Sequence, residues 1–199
     1  IKIKNKPILE HIIIKLRSQG FKNIIISVRY LGDKIKNYFK DGKKYGVKID
    51  YLKEKKALGT AGSVSLINKN IIEDETIIVN ADTIFNLNLS DILEFHKKKK
   101  SLMTMAIRQE FIKSSHGIIK SKGFMFEAIE EKPTITTYVN AGIYVIDKKI
   151  LKYIKRNKYL DMPDLFNELK KTYNKKIFLF PIYEDFKEVG TLKDLRKFK

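Results

Sequence analysis

The sequence contains no cysteine. This absence excludes a disulfide framework, a thiolate metal site and a cysteine nucleophile, and we expect a reducing, cytoplasmic setting. The sequence also has no run of 18 apolar residues and no signal-peptide pattern, so we expect no membrane partner. Internal repeats and low-complexity linkers are missing as well, and we expect residues 1–199 to form one domain.

Arginine is scarce in an otherwise strongly basic chain. Only 5 of the 41 basic residues are arginines, and 23 acidic residues leave a net charge of +18. A nucleic acid, a membrane surface or a phosphorylated metabolite would each fit this balance. The lysines are scattered along the whole chain, however, whereas nucleic-acid readers concentrate basic residues on one face. A biased composition rich in Lys, Ile and Asn also explains the charge, so we expect no nucleic-acid partner.

Apolar periodicity alternates between strand-like and helical along the first half of the chain. Residues 23–28 and 76–82 are short apolar runs, as in buried parallel strands, whereas residues 8–19 have helical spacing and precede Gly20. This order predicts an α/β fold with a Rossmann-like, mixed and mostly parallel sheet that is flanked by helices. Further strands are predicted at residues 47–52 and 102–107 and as shorter runs after Gly117, and further helices at residues 32–39, 91–100 with Ser90 as N-cap, 148–155, 162–173 and 191–198.

Asp82 ends the apolar run of residues 76–82. In open α/β sheets, ligands bind in the crevice beyond the carboxyl ends of the strands, which is where this residue is expected. A carboxylate buried there without a partner is costly, and Mg²⁺, which prefers carboxylate and phosphate oxygens, would compensate it. An aspartate that caps a helix or a turn would explain the position equally well.

The stretch EKKALGTAG, residues 54–62, places two glycines around a short polar turn between a predicted strand and a predicted helix. Gly59 and Gly62 would let a flat ligand approach the backbone, and a helix that begins near Ala61 would present free amides. Those amides and Thr60 are therefore candidates to contact a nucleotide base or ribose. A simple strand-to-helix turn is the alternative, because the pattern is neither a Walker phosphate loop nor GxGxxG.

Two further clusters lie in the second half. In EEKP, residues 130–133, two carboxylates and Lys132 stand at a predicted strand end, and Pro133 stops that strand. Lysine suits a phosphate group as a compact point charge, although an exposed turn with mixed charges explains the cluster equally. In VNAGIYV, residues 139–145, Asn140 and a glycine interrupt an apolar strand, which often marks close approach by a ligand or another backbone.

The order and the intervals of these clusters together resemble the sugar-phosphate nucleotidyltransferases along nearly all of the 199 residues. The closest similarity is to the branch with an LGTAG motif, which is often joined to a pair of CBS modules and includes guanylyltransferases of legionaminic acid biosynthesis. The resemblance implies attack of a sugar-1-phosphate on the α-phosphorus of a nucleoside triphosphate, which gives an NDP-sugar and pyrophosphate. The motifs that carry it are NKPILEHII, EKKALGTAG, VNAD, HGII, EEKP, VNAGIYV, DMPDLF and FKEVGT.

The resemblance also assigns roles to individual residues. Asp82 matches the catalytic aspartate that holds Mg²⁺ between the phosphates, and Lys132 matches the lysine that contacts the sugar phosphate. Glu188 stands where the family usually has an aspartate as its second magnesium ligand. The implied contacts to the base and ribose are Glu54, Leu58, Gly59, Thr60 and Gly62, and the implied contacts to the sugar are Gly117, Glu130 or Glu131 with Glu131 preferred, and Asn140.

One part of the family pattern is absent from this sequence. The family begins with a strand and a GGxGTRLxPLT loop that ends in PKP and binds the triphosphate, whereas IKIKNKPILE resembles the segment just after it. We therefore expect residues 1–199 to form a domain that lacks its first strand and signature loop. Either a longer protein supplies both upstream of Ile1, with CBS modules as further candidates there, or the chain is a paralogue that has lost them, and we favour the first alternative because a missing first strand would expose an unpaired edge in the middle of the sheet.

The substrates are expected from similarity alone. GTP with a hexosamine or hexose 1-phosphate is the first choice, for the biosynthesis of surface glycans, and the protein is a candidate homo-oligomer. A non-catalytic subunit that binds nucleotide sugar and regulates an assembly is the alternative.

Overall fold

We derive the fold from a computed structural model that describes residues 2–3, 5–68, 72–173, 176–184 and 186–188. The predicted helix at residues 191–198 lies outside these ranges. The helices are α1 (Ile8–Ser18), α2 (Gly32–Phe39), α3 (Gly59–Gly62), α4 (Leu89–Lys98) and α5 (Met162–Tyr173). The strands are β1 (Lys2–Ile3), β2 (Lys6–Pro7), β3 (Asn23–Val28), β4 (Lys48–Lys53), β5 (Glu75–Val79), β6 (Thr83–Phe85), β7 (Met103–Lys113), β8 (Ile118–Lys122), β9 (Met125–Glu130), β10 (Thr134–Asp147), β11 (Ile177–Ile182) and β12 (Phe186–Glu188).

The central sheet has four strands in the order β11, β7, β10, β5. β11 runs parallel to β7, whereas β10 runs antiparallel to both of its neighbours, so the sheet is mixed as predicted. The expectation of short strands after Gly117 is wrong for β10, which has 14 residues. Its register against β7 shifts between Asn140 and Tyr144, and this irregularity breaks the apolar pattern within one continuous strand.

Helices cover both faces of this sheet. On one face, Met162 and Leu165 of α5 pack with Met103 and Tyr144 of the sheet. On the other face, Leu89 and Ile92 of α4 belong to a second apolar cluster with residues of β7 and β10. Alternate side chains of β7 and β10 thus pack into two different cores, one on each face of the sheet, as an α/β layer arrangement requires.

A wide cleft separates the central sheet from the parallel pair β3 and β4. One edge of β3 pairs with β4 and one edge of β5 pairs with β10. The residues of β3 and β5 also line a common cleft of about 1230 Å³. Among the described residues, no strand pairs with the second edge of β3 or of β5.

Two local predictions need correction. The strand that we predicted through Asp82 ends at Val79, and Asp82 lies in the turn between β5 and β6, where the amide of Thr83 donates to the carbonyl of Asn80. The N-cap of α4 is Asn88 rather than Ser90, because the Asn88 side chain accepts a hydrogen bond from the Ser90 amide at 3.2 Å. None of the described helices has the length and apolarity to cross a bilayer.

Candidate functional site

Asp82 occupies the turn that follows the half-buried strand β5. Its side chain is half-buried, and within the described part of the chain its Oδ1 is a buried atom with no hydrogen-bond partner. A buried carboxylate oxygen normally has a partner, since an unpaired one costs on the order of 1–3 kcal/mol or more. This oxygen is therefore a fitting ligand atom for a divalent cation.

The backbone of Glu188 lies close to this turn. In the short antiparallel ladder of β6 and β12, Glu188 pairs with Thr83, the residue after Asp82. The Glu188 side chain itself lies outside what the structure describes. Its backbone position fits the second acidic ligand that the sequence predicted, and that assignment stays a prediction.

The glycines of the LGTAG turn face another part of the chain. Gly59 has a φ of +74°, and a Cβ added there would lie 2.5 Å from the carbonyl oxygen of Leu160. A Cβ on Gly62 would lie 2.5 Å from the carbonyl oxygen of Lys158. Both positions must be glycine because residues 158–161 pack directly against the turn.

The amides of this turn are already bonded within the protein. The amides of Ala61 and Gly62 both donate to the carbonyl of Leu160, at 3.0 and 2.9 Å, and the amide of Thr60 donates to Asp161 Oδ1 at 3.1 Å. The Thr60 hydroxyl accepts from the amide of Met162 at 2.8 Å. The expectation of free amides is therefore wrong, because a segment about 100 residues away uses them. Contact of this turn with a nucleotide stays a prediction.

Glu54 connects the turn to the β3–β4 pair. Its Oε1 accepts from the Ser27 hydroxyl at 2.6 Å, and its Oε2 accepts from the Leu58 amide at 3.1 Å. The Leu58 side chain is buried. Glu54, Leu58, Gly59 and Thr60 all line the cleft, so the structure brings four of the five predicted nucleotide contacts to one wall.

Two residues on this wall escaped the sequence analysis. The Tyr159 hydroxyl donates to Asp161 Oδ2, and this bond, followed by that from the Thr60 amide, holds the pKa of Asp161 below its ordinary value. Both side chains line the cleft beside the turn. The DMPDLF motif contains Asp161, but nothing in the sequence indicates that it contacts a residue 101 positions earlier.

Asn80 and Asn140 meet around Gly142. The Asn80 amide donates to the carbonyl of Gly142 at 2.8 Å, and a Cβ on Gly142 would lie 2.7 Å from the Asn80 side-chain nitrogen. Asn140 accepts from the Gly142 amide at 2.9 Å and donates to the Tyr144 hydroxyl at 2.6 Å. The glycine inside β10 thus marks close approach by another backbone, and it brings Asn140 next to the turn that holds Asp82.

The EEKP cluster forms an exposed turn beside Gly117. A Cβ on Gly117 would lie 2.8 Å from Glu131 Oε2, so these two predicted sugar contacts are neighbours. Glu130 is exposed and pairs with Ile118 across the β8–β9 hairpin. Lys132 is exposed and has a φ of +47°, which is rare for a residue with a side chain and more strained still before a proline.

The sequence pattern of the nucleotidyl transferase family matches residues 1–199. The chain belongs to this family. A D-glycero-α-D-manno-heptose 1-phosphate guanylyltransferase of Campylobacter jejuni is 30% identical over 198 residues, which cover 98% of this chain and 86% of the relative. A UTP–glucose-1-phosphate uridylyltransferase of Synechocystis is 29% identical over 188 residues, 85% of this chain and 48% of the relative.

A solved structure has the same fold as this chain. HddC from Yersinia pseudotuberculosis, complexed with GMP-PN, superposes with a TM-score of 0.75 at 23% identity, covering 99% of this chain and 86% of that one. The chain thus spans most of this neighbour and about half of the Synechocystis relative. Since the identity to HddC is low, the likeness shows the nucleotidyl transferase fold alone.

Membership in this family relates the predicted site residues to one candidate active site. The structure brings two groups of residues together: the glycine turn with Glu54 and Asp161, and the Asp82 turn with Asn80 and Asn140. The cluster of Gly117 and EEKP lies apart from both groups, beside the β8–β9 hairpin. Among the described residues, three or more acidic or histidine side chains do not cluster into a closed metal centre. An ion on the Asp82 side would therefore share its coordination with substrate oxygens, which suits Mg²⁺.

Proposed function

We propose that this nucleotidyl transferase domain joins a sugar-1-phosphate to a nucleoside triphosphate. An oxygen of the sugar phosphate attacks the α-phosphorus and forms a new P–O bond, while the bond from the α-phosphorus to the bridging oxygen breaks and pyrophosphate leaves with its electrons. The observation that carries the proposal is the buried Oδ1 of Asp82, which has no hydrogen-bond partner among the described residues and lies in the turn after β5. The names of relatives that use sugar 1-phosphates support it.

Each side of the site has a part in this reaction. Asp82, with Glu188, would hold Mg²⁺, and the ion would neutralise negative charge that develops on the phosphates. Lys132 would hold the sugar phosphate through its ammonium group, while Gly117, Glu131 and Asn140 would position the sugar. The glycine turn would line the pocket for base and ribose through its exposed edge. Positioning and charge neutralisation are what phosphoryl transfer needs from a protein.

The nucleotide and the sugar are a narrower proposal. We favour GTP because a relative that matches nearly the whole chain is a guanylyltransferase and the HddC structure holds GMP-PN. For the sugar we favour a hexosamine or hexose 1-phosphate, used in surface glycans of the legionaminic acid type. We also propose a cytoplasmic location, which the lack of cysteine supports.

A strand from upstream of Ile1 would complete this domain. We propose that it lies in the cleft between β3 and β5, since both bordering strands leave one edge unpaired in the described chain. An open edge in mid-sheet exposes backbone donors and acceptors that a further strand would satisfy. CBS modules upstream of that strand remain part of the proposal.

The activity is tested on the full-length protein with Mg²⁺. Each of the four common nucleoside triphosphates is mixed with glucosamine-, glucose- and mannose-1-phosphate, and pyrophosphate release is followed. We expect release with GTP and at least one of the sugars. Release with another nucleotide would correct the specificity, whereas tight binding of GDP-sugar without release from any pair would show the regulatory subunit instead.

A further inference from the structure

The first turns of α3 and α5 meet at the cleft, although they are far apart in the sequence. Thr60 is the second residue of α3, and Asp161, which directly precedes α5, follows it by 101 positions. Both residues line the cleft. The first amides of a helix have no partner inside that helix, and the side chain that caps them usually comes from the residue just before it. These two helices are capped differently.

Each of the two helices is capped by a side chain that belongs to the other. Asp161 Oδ1 accepts from the Thr60 amide at 3.1 Å, whereas the N-cap of α3 itself, Leu58, makes no side-chain hydrogen bond. In return, the Thr60 hydroxyl accepts from the amide of Met162, the first residue of α5, at 2.8 Å. Asp161 is the N-cap of α5, because its carbonyl accepts from the Leu165 amide at 3.0 Å. We call the two side-chain bonds the reciprocal cap.

The glycine turn depends on such contacts for its shape. α3 has 4 residues, and a single helical turn is not stable in water through its own hydrogen bonds. Leu160 adds further bonds, since its carbonyl accepts from the amides of Ala61 and Gly62 and its amide donates to the Leu58 carbonyl at 2.9 Å. Residues 158–162 therefore fix the backbone that a nucleotide would meet.

The segment on the other side of this contact is anchored in the protein core. Met162 and Leu165 are fully buried in an apolar cluster with Met103 and Tyr144 of the central sheet. Protein interiors are close-packed, so α5 cannot shift without disturbing that cluster. The reciprocal cap thus ties the position of the glycine turn to that of the sheet.

Both carboxylate oxygens of Asp161 are occupied within the chain. Oδ1 accepts from the Thr60 amide, and Oδ2 accepts from the hydroxyl of Tyr159. Tyr159 is 62% exposed, so burial does little to hold it, and the bond to Asp161 fixes its hydroxyl. A carboxylate also repels the phosphates of a nucleotide. Asp161 is therefore suited to act through Thr60 rather than to touch the phosphates itself.

We infer that Asp161 is a positioning residue, which holds Thr60 and the glycine turn in the shape that accepts the nucleotide. Tyr159 supports the carboxylate in this role. The inference rests on the proposed function, because that function assigns the nucleotide to this turn. It adds two residues that influence nucleotide binding through Thr60.

The test compares four variants of the full-length protein. Asp161→Ala removes both bonds of the carboxylate, Asp161→Asn keeps an oxygen that can accept from the Thr60 amide, and Tyr159→Phe removes only the hydroxyl. Asp164 is exposed in the first turn of α5, so Asp164→Ala controls for the loss of a negative charge there. Circular dichroism checks that each variant is folded.

Three measurements are made on each protein. Calorimetry with Mg²⁺ and each of the four common nucleoside triphosphates gives the dissociation constant of the nucleotide. Pyrophosphate release gives kcat and the KM for each substrate. Amide exchange at residues 60–62 reports how well the glycine turn is ordered.

In Asp161→Ala, the dissociation constant of the nucleotide should rise about fivefold or more, in line with the loss of a helix cap. Amide exchange at residues 60–62 should quicken in the same variant. Asp161→Asn should recover most of both effects, Tyr159→Phe should show a smaller change in the same direction, and Asp164→Ala should show none. The KM for the sugar phosphate should stay level in all four.

Unchanged nucleotide affinity in folded Asp161→Ala would overturn the inference and leave the proposed function standing. A rise confined to the KM for the sugar phosphate would also overturn it, since Asp161 would then touch that substrate directly. An equal loss of affinity in Asp164→Ala would show an effect of charge alone and would have the same consequence. A wild-type protein that binds no nucleoside triphosphate would contradict the proposed function and the inference together.

Discussion

The two sides of the candidate site differ in how their polar groups are satisfied. On the glycine turn, the amides of Thr60, Ala61 and Gly62 and both oxygens of Glu54 have partners within the chain. On the other side, the Asp82 turn has a buried carboxylate oxygen without a hydrogen-bond partner among the described residues. We call the first side, whose polar groups named above have partners, the wall of the site. We call the second side, which has an unsatisfied carboxylate oxygen, the reactive centre.

This difference shows which side of the site lowers the stability of the folded protein. A satisfied, tightly packed turn contributes to the stability of the domain and presents a fixed surface to a ligand. Unsatisfied groups and strained torsions lower stability, and they persist at sites where a ligand or a reaction uses them. Substitutions in each of the two regions should therefore have different effects on activity and on stability.

Replacing Asp82 with asparagine should lower turnover at least about a hundredfold, because the side chain keeps its shape and loses the charge that would hold Mg²⁺. Folding should change little. Pyrophosphate release measures the turnover, and Asp41→Asn, which removes an exposed carboxylate paired with Lys43, is the matched control. Wild-type rates for Asp82→Asn would remove this residue from the metal site.

Gly59→Ala should destabilise the protein by about 2–3 kcal/mol. The new Cβ would meet the Leu160 carbonyl at 2.5 Å and would also sit in a left-handed conformation. Gly123 has a similar φ of +62° but open space around it, so Gly123→Ala isolates the cost of the torsion, about 1 kcal/mol. Urea denaturation measures both. Equal losses in the two variants would show that the packing against residues 158–161 contributes nothing.

Lys132→Gly should raise KM for the sugar phosphate about tenfold, since a point charge is lost from the phosphate contact. The same change relieves a φ of +47°, so the free energy of unfolding should stay level or rise by up to about 1 kcal/mol. Lys100→Gly is the control, because Lys100 is exposed with a φ of +48° after α4. An equal rise in KM for Lys100→Gly would show that the effect of Lys132→Gly does not come from the loss of a contact to the sugar phosphate.

His96 tests whether an unsatisfied buried group alone marks a site. Its Nδ1 lies 2.9 Å from the Thr104 hydroxyl, its Nε2 is buried without a partner in the described chain, and burial lowers its pKa. The unfolded state then binds the proton more readily, so stability should fall as the pH drops below about 6.5, by at most about 1.4 kcal/mol per unit.

Substitution His96→Asn should flatten this pH dependence and leave KM and kcat nearly unchanged. Denaturant midpoints between pH 5 and 8 measure the effect. A large loss of activity in folded His96→Asn would extend the reactive centre to α4.

The sequence predicts the local elements of this fold better than their contacts. The spacing of apolar residues gives the bounds of β3, α2 and α5 as the structure has them, because those patterns depend on the residues within each element. The predicted strand of residues 76–82 is too long. The strand ends at Val79, because the next residue, Asn80, belongs to a turn and its backbone amide donates to the carbonyl of Gly142. That bond joins residues 62 positions apart, which no local pattern contains.

The candidate site shows the same limit. The positions of Asp82, Gly117 and Glu131 follow from motif order, and the structure places the last two side by side. The reason for the glycines at 59 and 62 was not predictable, because residues 158–161 approach them only in the folded chain. The type of reaction could be inferred from the residue types in the motifs. Which polar groups have hydrogen-bond partners, and so which side is the wall and which the reactive centre, could be seen only from the contacts in the folded chain.

We propose that a divalent cation binds at the Asp82 turn rather than at the glycine turn. Paramagnetic broadening by Mn²⁺ in isotope-labelled full-length protein tests this directly, with wild type and Asp82→Asn side by side. The amides of Asn80, Asp82 and Thr83 should broaden most strongly in wild type and recover in the variant. Broadening that is strongest at Thr60 to Gly62, or that is the same in both proteins, would contradict it.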